Sequence, residues 1–253
     1  MLCKRIVACL DVRGARVVKG VSFAGLTDAG DPAWLARHYY ERGADEIVVL
    51  DVDATLDRRR ARARTVEAIA ERIFVPLVVG GGIRSLDDAA AMLDAGADKV
   101  ALNSAAVDDP PLITRLAGRY GAQAVIVAID AARQEGTFTV RTRSGTRGTG
   151  RSAVDWAIEA VERGAGEVLL TSIDRDGTTG GFDCELTSAV ARRVQVPVIA
   201  SGGAGRLDDF VEVFAAGCAD AALAASVFHF GRLGIQDVKR HLAAAGVPVR
   251  LAC

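Results

Sequence analysis

Two aspartates and two glycine pairs are the residues of this chain whose types and spacing could do chemistry. Asp11 closes the apolar run "RIVACLD" and Asp130 closes "AVIVAID". A carboxyl group at the end of a buried strand can take or give a proton beside a bound molecule, and two can act on either side of it. One such Asp is more often a turn or helix-capping residue. Gly81-Gly82 in "VVGGGIRS" and Gly202-Gly203 in "VIASGGAGRL" lie 121 residues apart, and each pair leads into a helix-like segment that begins "LDD". A Gly-Gly pair lets backbone approach an anion with no Cβ in the way, and the helix start that follows offers unpaired N–H groups. Asn103 and Ser104 after "VAL", and Ser226 after "LAA", add polar ends on the next strand of each half. One glycine corner alone is equally well a tight turn. Two in register, with Asp11 and Asp130 at matching places between them, point to acid–base chemistry on a substrate with a phosphate at each end. Asp51, Asp174 and Asp176 fall near the same rim, the last two in the polar loop "SIDRDGT". His229 reads as peripheral, and the absence of HxH or HExxH spacing argues against metal catalysis.

The elements that must position these residues repeat along the whole chain. β-branched runs start at Arg5, Glu46, Val75, Asp98, Ala124, Glu167, Val196 and Ala219, separated mostly by amphipathic patterns such as "DPAWLARHYYERGA". Strands alternating with helices predict a parallel sheet of βαβ units, and consecutive apolar positions predict strands buried on both faces. Eight units in 253 residues suit an α/β fold of the (β/α)8 TIM-barrel type, with a doubly wound open sheet as the runner-up. "ERGADEIVVLD" from Glu41 answers "ERGAGEVLLTS" from Glu162, and "GGGIRSLDD" answers "SGGAGRLDD", both at an offset of 121. The expectation is therefore one barrel domain over residues 1–253, made of half-barrels of about 1–120 and 121–253. Two segments read as covers over the mouth. Residues 19–32 form a long glycine-punctuated loop ending at a Pro-initiated helix, and 136–150 a short hairpin plus a polar turn.

Composition narrows the class. Half the residues are hydrophobic, a quarter are charged and the net charge is −1, which argues against disorder and against a dominant polyanion-binding role. Five scattered cysteines without CxxC spacing read as reduced thiols of a cytoplasmic protein. The N-terminus does not read as a signal peptide, and no apolar run approaches the ~18 residues of a membrane span. The basic run within Asp57–Arg64 has no interleaved aromatics and reads as a solvated loop and helix face.

Taken together, "KRIVACLDV", "VVKG", "VGGGIRS", "NSAAV", "AIDA", "LLTSIDRDGT", "ASGGAG" and "LAASVFHF" resemble the cyclase subunit of imidazole glycerol phosphate synthase, from histidine biosynthesis, over residues 1 to 252. The resemblance implies that ammonia and a doubly phosphorylated substrate, phosphoribulosyl-formimino-aminoimidazole carboxamide ribotide, give imidazole glycerol phosphate and aminoimidazole carboxamide ribotide. It implies Asp11 and Asp130 as the acid–base pair, with Asp130 near ammonia attack and Asp11 serving later proton transfers. It further implies Lys19 as a substrate or loop holder, Asp51, Ser144, Thr171, Asp176 and Gly177 as pocket lining, and no cofactor or metal. A glutaminase (glutamine amidotransferase) partner forming a heterodimer at the N-terminal barrel face is also implied. Arg5, Glu46, Lys99 and Glu167 match an ammonia gate there, and Asp98 and Gln123 match the partner interface. The sister isomerase of the same pathway, which shares the duplicated barrel and paired aspartates, is the alternative. A catalytically silent phosphate-ligand binder that activates a glutaminase is a third reading.

Overall fold

The computed structural model of the chain describes residues 2–21, 24–52 and 59–251, with the side chains of 19–21, 24–27 and 59–62 excepted. Among the described residues, eight parallel strands close on themselves. In order around the ring they are β1 (Arg5–Arg13), β4 (Glu46–Asp51), β5 (Leu77–Gly80), β6 (Lys99–Leu102), β7 (Val125–Gln134), β10 (Glu167–Ser172), β11 (Val198–Ser201) and β12 (Ala221–Ala224), which pairs back to β1. A closed ring of parallel strands with helices between them is a (β/α)8 barrel, and it excludes the open doubly wound sheet.

Strand parity divides the side chains into two populations. Val7, Cys9, Val48, Val78, Ala101, Ile126, Leu169, Ile199, Ala221 and Leu223 pack with one another inside the barrel. Their sequence neighbours Ile6, Ala8, Leu10, Ile47, Val49, Val79, Val125, Val127, Val168 and Leu170 pack outward against the helices. Both faces are dry, which is why the runs are apolar at consecutive positions instead of alternating.

The helices α1 (Pro32–Glu41), α2 (Arg59–Ala70), α3 (Leu86–Asp94), α5 (Pro111–Tyr120), α6 (Ala153–Glu162), α7 (Cys184–Ala191), α8 (Leu207–Ala215) and α10 (Ile235–Ala244) cover the barrel, and the short α4 (Ser104–Asp108) and α9 (Ser226–His229) follow β6 and β12. The "LDD" echo has a structural cause. The second Asp of each motif reaches back from its helix, Asp88 accepting from the Arg84 N–H at 3.0 Å and Asp209 from the Gly205 and Arg206 N–H groups at 2.8 and 2.7 Å. Each helix start thereby locks the loop that leaves the preceding strand. Elements recur at nearly constant offset: α1 and α6, β4 and β10, β5 and β11, and α3 and α8 all begin 121 residues apart.

The two cover segments differ from the sequence expectation in one respect. Residues 137–152 form the expected hairpin, β8 (Thr137–Thr142) with β9 (Arg147–Ser152), built on β7. The segment read as a loop from residue 19 instead contributes to β2 (Arg16–Val21) and β3 (Ala24–Gly30), antiparallel to each other and attached to β1 through Val12 and Arg13. Its composition hides this, because "AGLTDAG" is poor in β-branched residues and the ladder carries register shifts. Pairing with β1 supplies what propensity does not. Asp57 and Arg58 of the basic run lie outside the described residues; from Arg59 onward the run is the first turn and a half of α2, and no role is assigned to it. Among the described residues no helix is long and apolar enough to cross a membrane.

Candidate active site

The ends of the strands converge on a cavity of about 780 Å³ at the C-terminal mouth of the barrel. Asp11, Asp51, Gly81, Gly82, Asn103, Ser104, Asp130, Ser144, Thr171, Asp176, Gly177, Gly202, Gly203 and Ser226 all line it, although they come from the ends of all eight barrel strands and from the β8–β9 turn. The side chain of Lys19 lies outside the described residues. Asp174 does not join the cavity. Its carboxylate accepts the Arg133 N–H at 2.7 Å and faces a separate outer pocket. His229 is peripheral, its Nδ1 2.6 Å from the Tyr39 hydroxyl on the outside of the barrel wall.

Parity sets the two aspartates facing inward. Arg5, Val7, Cys9 and Asp11 are alternate residues of β1, so Asp11 stands one step above Cys9 on the barrel's inner face; Ile126, Ala128 and Asp130 do the same on β7, four strands away. The environments of the pair differ. The Cys9 thiol donates to Asp11 Oδ1 at 3.6 Å. Asp130 accepts from Asn103 Nδ2 at 2.8 Å. Burial pushes the Asp130 carboxyl up to about 7; the Asn103 hydrogen bond partly opposes the rise and the charge of Asp176 adds to it. A carboxyl poised near neutrality can accept a proton and return it at the pH of the cell. Asn103, grouped on sequence with an anion corner, thus turns its amide nitrogen to Asp130, while its buried Oδ1 has no partner among the described residues.

The glycine corners are required by packing. A Cβ on Gly81, which has φ +88°, would lie 2.2 Å from the Asp51 carbonyl oxygen. One on Gly202, φ +90°, would lie 2.6 Å from the carbonyl of Ser172, the counterpart of Asp51. Each corner folds back over the end of the preceding strand, and only glycine fits. The N–H groups of Gly82 and Ser104 in one corner, and of Gly203 and Ser226 in the other, donate no hydrogen bond among the described residues. They remain open to an anion.

At the other end of the barrel the same inward parity brings four charges together. Arg5 donates to Glu46 and to Glu167, and Lys99 Nζ donates to Glu46 at 2.8 Å and to Glu167 at 2.9 Å, closing a ring in which each charge touches both opposite charges. Burial and the neighbouring Glu167 push the Glu46 carboxyl up against the pull of the two cations. The paired carboxylates raise both Arg5 and Lys99 despite their burial. From Arg5 to Asp11 the strand spans six residues, about 20 Å, through the apolar interior layers. Asp98 and Gln123 are exposed on this N-terminal face. Asp98 also ties neighbouring strands together, accepting the Leu77 N–H at 2.8 Å, as Asp220 accepts that of Val198 at 3.1 Å.

Among the residues of the cavity wall that the sequence did not single out are Cys9, Arg84, Asp108 and Arg143. Cys9 was readable from parity with Asp11, and Arg84 stands inside the quoted "GGGIRS". Arg143 had no sequence signal, because only the hairpin turn carries it over the mouth.

The histidine biosynthesis protein family matches residues 5–234 of the chain. Imidazole glycerol phosphate synthase subunit HisF of Acidobacterium capsulatum is 57% identical over 253 residues, 100% of both chains. The proteins of the same name from two strains of Dehalococcoides mccartyi are each 53% identical over 251 residues, 99% of both chains. With its fold and mouth geometry as described, the chain belongs to the histidine biosynthesis protein family, and within it to the imidazole glycerol phosphate synthase HisF subunits.

Proposed function

We propose that the chain is the cyclase subunit of imidazole glycerol phosphate synthase, a lyase of histidine biosynthesis, and that residues 1–253 form one domain of two half-barrels. The observation that carries the reading is the pair Asp11 and Asp130 in one cavity between two glycine corners, with Asp130 tuned to about 7. In this reading each corner holds one phosphate of the elongated substrate: Gly81, Gly82 and Ser104 at one end, Gly177, Gly202, Gly203 and Ser226 at the other. Asp51, Ser144, Thr171 and Asp176 line the path between, and Lys19 holds the substrate or its cover. Ammonia adds to the formimino carbon with Asp130 taking its proton. The aminoimidazole carboxamide ribotide leaves, and ring closure with loss of water, served by Asp11, gives imidazole glycerol phosphate. No step requires a cofactor.

The relatives are named subunits, which puts each of them in an assembly. For this chain the partner proposed is a glutaminase on the N-terminal face, contacting Asp98 and Gln123. The Arg5–Glu46–Lys99–Glu167 ring would gate ammonia into the barrel. The apolar layers above the ring favour a neutral ammonia molecule over an ammonium ion, whose desolvation is costly. Free thiols at Cys3, Cys9, Cys184 and Cys218 support a cytoplasmic setting.

The test is substrate consumption followed spectrophotometrically with ammonium salt at raised pH, with and without a glutaminase and glutamine. Asp11→Asn and Asp130→Asn should bind substrate and lose turnover, and near-normal rates in both variants would refute the assignment. Conversion of the aminoaldose precursor without ammonia would instead favour the sister isomerase, an outcome that the relatives' shared name weighs against.

A further inference from the structure

The two corners match in backbone but not in charge. Five carboxylates line the cavity, Asp11, Asp51, Asp108, Asp130 and Asp176, against two cationic side chains among those described, Arg84 and Arg143. Both cations belong to the same corner. Arg84 follows Gly82 and Ile83 on the way into α3. Arg143 sits at the tip of the β8–β9 turn, where its N–H donates to Ser104 Oγ at 3.0 Å. Neither side chain has an ion-pair partner among the described residues, whereas the nearby Asp108 faces Arg147 at 3.6 Å. At the opposite corner the counterpart of the Ile83–Arg84 step is Ala204–Gly205, and no described cation lines it. Arg206 there is paired with Asp209.

The turn that presents Arg143 is held in a conformation that side chains rarely adopt. Arg143 and Ser144 both have φ +54°, and Gly145 follows at +78°. Such backbone is strained for Arg143 and Ser144, which carry side chains, and persists where the surroundings impose it. The Ser104 hydrogen bond and the close approach of Gly145 to Ile173 are those surroundings. The turn thus brings Arg143 onto Ser104, on the same cavity wall that Gly82 and Arg84 line.

We propose that Arg84 and Arg143 form a cationic clasp that makes the β5/β6 corner the dominant phosphate anchor, so that a doubly phosphorylated substrate docks by that end first. The clasp rests on the bisphosphate reading above. It balances the dianion of one phosphate monoester in a cavity otherwise rich in carboxylates. Among the described residues the β11/β12 corner offers the other phosphate backbone N–H and hydroxyl groups without a cation, so that end binds more weakly and later.

The test uses inorganic phosphate as the probe and backbone amide NMR shifts as the readout. In the wild-type protein the Gly82 and Ser104 amides should saturate at a phosphate concentration about tenfold below that for Gly203 and Ser226. In Arg84→Gln/Arg143→Gln that gap should close, while the Gly203 and Ser226 curves stay unchanged. Raising the salt should narrow the wild-type gap by screening. Equal saturation of both corners in the wild type, or a gap that survives the double substitution, overturns the proposal. Failure of the cyclase reading would show separately, as absent ammonium-driven turnover in a protein that still orders its phosphates in this way. With turnover intact, the double variant should raise KM about tenfold and leave kcat nearly unchanged, and the reverse pattern counts against the clasp.

Discussion

Replacing Asn103 with leucine tests the tuning of Asp130 most directly. Burial moves the Asp130 carboxyl from its ordinary value of 3.8 to about 7, a rise worth about 4 kcal/mol against ionisation at about 1.4 kcal/mol per pH unit. The Asn103 amide, donating at 2.8 Å, is the group that restrains the rise. A hydrogen bond to a charged acceptor contributes about 1.5–3 kcal/mol. Leucine keeps the branched outline of asparagine with bulkier methyl groups and also removes the unpartnered Oδ1, so the change should move the acid limb of kcat/KM upward by ~1–2 pH units. The assay is ammonium-driven turnover across pH 6 to 9 at constant free ammonia, with variant and wild type compared at each pH. At pH 7 the variant should be about 5- to 50-fold slower, and near pH 9 the two should come within about twofold. A deficit of constant size across the range would mean that Asn103 acts on substrate and not through the ionisation of Asp130, and the reasoning would be refuted.

Asp130 also carries a stability signature. The unfolded carboxyl ionises near pH 4 and the folded one near 7, so stability is lost as pH rises between those values. Asp130→Asn should therefore unfold with wild-type stability at pH 4 and gain at most about 4 kcal/mol at pH 8, read as about 2–4 °C in Tm per kcal/mol. Lys99→Met leaves Glu46 and Glu167 sharing one cation, and urea unfolding should show a loss of about 3 kcal/mol, partly recovered by adding Glu167→Gln. Gly81→Ala should cost at least about 2 kcal/mol because the new Cβ meets the Asp51 carbonyl. Gly14→Ala, at φ +63° with open space around it, should cost about 1 kcal/mol, and equal losses at both positions would discount the packing argument.

The repeat, the strand parity and the glycine corners were legible in the chain itself, because each is a local pattern. Alternate residues of a strand share a face whatever surrounds them, so Arg5, Val7, Cys9 and Asp11 had to line up once β1 was recognised, with a charge at the foot and a carboxyl at the mouth. Glycines at a strand end announced a backbone that tolerates no Cβ, although the sequence could not say that the obstacle was the Asp51 carbonyl. Closure of the barrel decided the rest. It joined Arg5, Glu46, Lys99 and Glu167, from four strands, into one ring. It set the Asn103 amide against Asp130 across the β6–β7 seam, and no pattern along one strand encodes a partner on another. Pairing with β1 made strands of residues whose composition reads as loop. The β8–β9 turn then carried Arg143 onto the corner that Arg84 already flanks. Two halves alike in sequence motif thereby became unlike in charge, because electrostatic surroundings are assembled from residues distant in sequence and exist only once the chain has folded.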